Sequence, residues 1–174
     1  MFLMTTPDHE TIGSIPSIIA SGASFDRSRR YRYSLYRQFD SGEGILTMIM
    51  LNPSTADAQY NDPTITRCIR FAHGNGFKQL TVVNLFAFRA TAPLALKRAG
   101  NPVGRENNTF IEQAAIASAL TLVAWGNHGQ FRSRDAEVLE LLKSYTLHCL
   151  GTNKGGSPKH PLYVPANQKL LIYR

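Results

Sequence analysis

From residue 45 onward, short apolar runs alternate with amphipathic segments, and this alternation constrains the chain more than any other feature. Residues 45–51, 80–84, 120–125 and 146–150 are apolar runs of strand length, as expected for strands buried on both faces. Between the first two, Asp62-Pro63-Thr64 has the chemistry of a helix start, a capping carboxylate followed by a proline whose missing N–H is not needed there. Ile65, Cys68, Ile69 and Ala72 then recur at helical spacing, and Gly74-Asn75-Gly76 ends the helix. Residues 92–98 suit a short helix and 134–145 one carrying Val138, Leu141 and Leu142. The spacing predicts a further helix over 107–119 with Phe110, Ala114 and Ala117 on one face.

Upstream, residues 31–39 alternate aromatic and polar side chains, which predicts a strand. A glycine-rich turn at 40–44 would join it in a hairpin to the run at 45–51. Residues 1–25 read as a loosely docked N-terminal arm and residues 26–174 as a single α/β domain. The expected fold is a three-layer α/β/α sandwich around a mainly parallel, four-stranded central sheet, with an antiparallel edge strand. Right-handed crossovers would bring all four strand C-termini to one edge, where ligands bind such sheets.

Small polar clusters follow each strand. They are Asn52-Pro53-Ser54-Thr55-Ala56-Asp57, then Asn84 with Phe86 and Arg89, then Trp125-Gly126-Asn127-His128, and finally Thr152-Asn153-Lys154 leading to His160-Pro161-Leu162. Four such clusters at one edge predict a site. Asn52 can hold a water, and Asn84 can pair with a base edge because an amide offers both a donor and an acceptor. Asn84 serves equally well as a strand-end residue bonding backbone. Phe86 or Trp125 can stack on a base, or belong to the core. Asp57 is a candidate carboxylate for stabilising a cation, with a solvated loop residue as its alternative, whereas Asp62 reads as the helix cap. His160 can donate to an oxyanion, and Arg67, Arg89 and Lys159 suit phosphate contacts. His73 and His148 read as structural.

A net charge of +7 would attract nucleic acid or nucleotides. Much of it lies in Arg27, Arg29, Arg30, Arg32 and Arg37, and a solvated basic surface explains it equally well. Two isolated cysteines, Cys68 and Cys149, are too few for a disulfide framework or a zinc site, and no cofactor or metal is expected. No apolar run reaches membrane-spanning length and no secretory segment opens the chain, so a cytoplasmic location is expected, with no obligate protein partner. Walker, dinucleotide and Gly-x-Ser-x-Gly signatures do not occur.

The stretch from Met50-Leu51-Asn52-Pro53-Ser54-Thr55-Ala56-Asp57 to His160-Pro161-Leu162-Tyr163 resembles the domain-of-unknown-function family 1643, which implies no activity. At motif level the chain is also similar to the uracil-DNA glycosylase superfamily. Ile49-Met50-Leu51-Asn52-Pro53 resembles a first motif whose Asn positions the attacking water. Val82-Val83-Asn84-Leu85 resembles the strand whose terminal Asn reads the base, and Trp125-Gly126 a Trp-Gly strand end. His160-Pro161-Leu162 resembles a loop whose His stabilises the departing base and whose Leu fills the vacated stack. Asn52, Asp57 and His160 are thus the catalytic candidates; Pro53, Ser54, Asn84, Phe86, Trp125, Asn127 and Leu162 are the base-binding ones. Leu51 and Ser54 depart from the first motif, and no Asp stands at its water-activating position. The resemblance implies a uracil-DNA-glycosylase-like fold and an N-glycosidase acting on a modified or mismatched base, DNA first. The residues also fit a non-catalytic nucleotide or modified-base binding module, or a hydrolase of a free nucleoside or nucleotide derivative.

Overall fold

Seven strands and four α-helices succeed one another in residues 15–174, the part of the chain that the computed structural model describes. They are β1 (Ile18–Phe25), β2 (Arg32–Phe39), β3 (Ile45–Met50), α1 (Pro63–Gly74), β4 (Gln79–Asn84), α2 (Pro93–Arg98), α3 (Asn107–Ala117), β5 (Leu120–Val123), α4 (Arg134–Leu141), β6 (Leu147–Cys149) and β7 (Leu171–Ile172). Tight helical turns lie at Asn127–Ser133 and Pro161–Tyr163.

All seven strands form one sheet, in the order β1-β2-β4-β3-β5-β6-β7. The four inner strands β4, β3, β5 and β6 run parallel, while β1, β2 and β7 pair antiparallel at the two edges. From β3 the chain passes through α1 to β4 on one side, then crosses to β5 on the other. That reversal opens a crevice beyond the carboxyl ends of β3 and β5.

Alternation along the inner strands feeds two cores. Leu46, Met48 and Met50 of β3 pack with Ile65, Cys68, Ile69 and Ala72 of α1. Ile49 and Val83 face the other way, into a core with Ile111 and Ala115 of α3 and Val138 of α4. Helix α1 begins where the sequence placed it: the Asp62 carboxylate accepts the Ile65 N–H at 2.8 Å, and Pro63 opens the first turn.

The structure corrects the expected fold. The sheet is mixed and seven-stranded, not a mainly parallel four-stranded one with a single edge strand, and a uracil-DNA-glycosylase-like architecture is not what the chain adopts. Part of the difference lies in Ile18–Phe25, inside the stretch read as an arm; it is β1, which pairs with β2 through seven matched positions. Its Ser, Ala and Gly side chains carry too little apolar contrast to show a two-residue period. Residues 1–14 of that arm lie outside the described residues. The two-residue β7 is too short to announce itself, yet it caps the far edge against β6. The hairpin partner also differs: β2 pairs with β1 and β4, never with β3.

Helix α3 is turned by one residue from its expected face. Asn107, Ile111 and Ala115 are buried, because the Asn107 amide donates to the carbonyls of Asn84 and Leu85, both at 2.9 Å. Phe110 instead stacks on Tyr33, with ring centroids 5.0 Å apart and planes within 8°.

Two of the clustered arginines are not surface residues. Arg37 is buried and donates to Asn61 Oδ1 and to the carbonyls of Tyr36, Asp57 and Tyr60. Arg32 is buried too, and its Nη1 donates to the Ala56 carbonyl at 2.8 Å. With Arg89 donating to the Ser54 carbonyl, three guanidinium groups hold the backbone of the loop between β3 and α1. Arg134, at the start of α4, is also enclosed.

Candidate functional site

A cavity of about 500 Å³ lies at the carboxyl edge of the parallel strands, within the size range of small-molecule sites. Its wall is built from four chain segments. The loop after β3 brings Asn52 and Ser54, and the end of β4 brings Asn84. The loop after β5 brings Trp125, Gly126 and Asn127, and the last loop brings His160 and Tyr163. Arg32 at the start of β2 and Asp62 and Thr64 at the start of α1 complete it.

Each polar group is held differently. The Asn52 side-chain NH2 donates to the Pro53 carbonyl at 3.0 Å and the Ala90 carbonyl at 2.8 Å. Both of its protons are thereby spent, which leaves Oδ1 as an acceptor of fixed direction. Asn84 is 1% exposed, and its Nδ2 has no hydrogen-bond partner among the described residues. A buried, unpaired amide donor costs stability on the order of 1–3 kcal/mol, so it marks a place where a partner is to be supplied.

His160 Nδ1 accepts the Leu162 N–H at 3.2 Å, which puts the proton of the neutral ring on Nε2. Burial pushes its pKa below the ordinary histidine value, with the charge of Asp62 working in the opposite direction. At neutral pH the ring is therefore an uncharged donor. Its segment is tied down by Gly126, whose N–H donates to the Pro158 carbonyl at 2.9 Å. Gly126 has a φ of +73°, and a Cβ there would stand 4.0 Å from His160 Cβ, so backbone conformation rather than space calls for glycine.

Asp62 uses both carboxylate oxygens on backbone, one for the Ile65 N–H and one for the Ala56 N–H at 3.3 Å. Its charge remains in the cavity wall, 7% exposed. Asn127 Oδ1 accepts from the Asn153 amide at 2.9 Å, which links the rims of two loops.

Several candidates take other duties. Asp57 is outside the cavity; one oxygen accepts the N–H groups of Gln59 and Tyr60, and these bonds hold its carboxyl below the usual range. Phe86 is fully buried against Phe131 in the second core. The Trp125 indole packs into that core as well, perpendicular to Tyr173, while the residue also lines the cavity. Pro53 is buried and contributes its carbonyl to Asn52 and Ala90. Arg67 donates to the carbonyls of Pro161 and Val164, holding the turn after His160. Arg89 holds Ser54 and Arg29 carbonyls, and its guanidinium lies over the Phe25 ring. Lys159 is half-buried outside the cavity, and Leu162 lines a neighbouring, more open hollow with Tyr60, Arg67 and Arg70.

Sequence reasoning missed Arg32 and Thr64 as wall residues, and placed Asn153 and Tyr163 in the final segment without a role. Burial inside a strand is the signal for Arg32, and one basic residue among several hides it. Burial also pushes the Cys68 thiol up to about 12, which removes it as a nucleophile. Among the described residues, no three His, Cys, Asp or Glu side chains gather as metal ligands would. No helix among them is long and apolar enough to cross a membrane.

A family model described as a protein of unknown function (DUF1643) matches residues 32–162. The chain belongs to the DUF1643 family. The match opens at Arg32 and closes at Leu162, so it takes in the four segments that contribute Asn52, Asn84, Trp125 and His160. No curated protein matches the chain. No solved structure matches it either.

Proposed function

We propose that the cavity processes a nucleic-acid base, and that the chain is an N-glycosidase acting on a modified or mismatched base, with DNA the expected substrate. The observation that carries this reading is convergence: Asn52, Asn84 and His160, from three distant segments, line one cavity. Cleaving an N-glycosidic bond leaves a cationic sugar and an anionic base, so the protein must place a water and stabilise both charges. Asn52 Oδ1, its NH2 locked on two carbonyls, orients the water. Asn84 Nδ2 reads an acceptor on the base edge. His160 Nε2–H donates to the base oxygen as negative charge develops there. Asp62 supplies the negative charge that offsets the sugar cation, a role Asp57 cannot fill from outside the cavity. The likeness to uracil-DNA glycosylases at the motifs of Asn52, Asn84, Trp125 and His160 supports this chemistry and not an architecture.

A second reading, a binding module for a nucleotide or modified base, is favoured by one observation. Both oxygens of Asp62 already accept backbone N–H groups, and an amide is a poor general base. Duplex and single-stranded oligonucleotides carrying varied bases separate the two when assayed for alkali-labile abasic sites. Base release that drops by about a hundredfold or more in Asn52→Ala and His160→Ala supports the enzyme. Binding without product supports the module, and activity untouched in both variants rejects the site.

A further inference from the structure

Three arginines are deeply buried, and only one is incomplete. Arg134 uses all three nitrogens, on the Leu85 carbonyl, Glu137 and Asn108. Arg37 also uses all three, on Asn61, Tyr36, Asp57 and Tyr60. Arg32 is 2% exposed but uses Nη1 alone, on the Ala56 carbonyl. Its Nε is buried without a partner, and among the described residues nothing accepts from Nη2. The unpaired Nε–Nη2 edge is the side of a guanidinium that grips two oxygens at once.

Arg32 lines the cavity, as does Thr64 at the second position of α1. No carboxylate among the described residues forms an ion pair with it. Asp62, the carboxylate whose charge acts most on it, is occupied by two backbone N–H groups. A buried guanidinium with one edge unpaired is costly, and a ligand supplying two oxygens would complete it. Burial lowers the Arg32 pKa to about 10, which still leaves it charged at neutral pH.

We infer that Arg32 forms an oxyanion subsite inside the cavity, and that it takes a phosphate of the nucleotide whose base Asn84 and His160 read. This inference rests on the base-reading role proposed above and names the ligand as a nucleotide rather than a bare base. A cavity of about 500 Å³ exceeds what a lone pyrimidine ring fills, leaving space for sugar and phosphate. The phosphate comes from a free mononucleotide or from a strand, and the test contains an arm for each.

The full chain is titrated calorimetrically with the common nucleoside 5′-monophosphates, the matching nucleosides, and trinucleotides lacking a terminal phosphate. A phosphate-bearing probe should bind roughly tenfold tighter than its nucleoside, and inorganic phosphate should compete with it. Arg32→Gln should erase that preference, and Arg32→Lys, which keeps the charge but not the fork, should recover only part of it. If Arg32→Gln does not fold, the parent chain decides through the nucleotide-to-nucleoside ratio and phosphate competition. Equal binding of nucleotide and nucleoside, a preference that survives Arg32→Gln, or no binding of any phosphate-bearing probe overturns the subsite. Phosphate-dependent binding without base release would retain the subsite and reject the glycosidase.

Discussion

Two polar networks sit on the same sheet and are finished to different degrees. Around α3 every donor is spent, Asn107 on the carbonyls of Asn84 and Leu85 and Arg134 on Leu85, Asn108 and Glu137, and only the acceptor Asn107 Oδ1 is unpaired. At the cavity, Asn84 and Arg32 are buried as deeply and leave donors unpaired. Residue types and burial are alike, so the difference lies in what the fold provides as partners. Spent donors fix a helix onto a sheet; unspent ones at a cavity await an acceptor from outside the chain.

The largest expected effect comes from breaking the network whose donors are spent. Arg134→Met keeps most of the stem packing but takes one of two donors from the Leu85 carbonyl and the charged partner from Asn108, and should lower unfolding free energy by about 2 kcal/mol. Denaturant titration of that variant beside Arg32→Gln measures the contrast. Equal losses in both would erase the distinction between the networks. A smaller effect of opposite sign is expected at Asn84: Asn84→Leu removes a buried unpaired amide at similar volume, and should stabilise the chain by about 1 kcal/mol while abolishing base release. Destabilisation there would show that the amide is already satisfied. The smallest effect concerns His160. Its folded pKa is depressed, so the unfolded chain takes up the proton first, and stability is lost as pH falls below the ordinary histidine value near 6.5. His160→Asn should flatten that part of the melting-temperature profile, and an unchanged acid slope would place the ring in solvent.

The cavity rim was legible in the sequence because a small polar cluster follows each of four apolar runs, and parallel strands deliver those clusters to one edge. Asn52, Asn84, Asn127 and His160 all belong to those clusters and line the cavity. The edges of the sheet were not legible, since the small side chains of β1 and the brevity of β7 carry little periodicity. Arg32 was hidden because a burying strand and a basic surface cluster look the same without coordinates. Asp57 misled for the opposite reason: a loop carboxylate with no capping duty in view turned out to accept two N–H groups of its own loop. The rings of Phe86 and Trp125 went to the core because their strands are covered on both faces.

The loop between β3 and α1 is suspended by Arg32, Arg37 and Arg89 almost wholly through main-chain oxygens, those of Ser54, Ala56, Asp57 and Tyr60. A carbonyl is the same whatever residue bears it, so the course of this segment is insulated from its own side-chain identities. Residues at Ser54, Thr55 or Tyr60 can be exchanged, and the chemistry displayed around the opening retuned, while the peptide keeps its path.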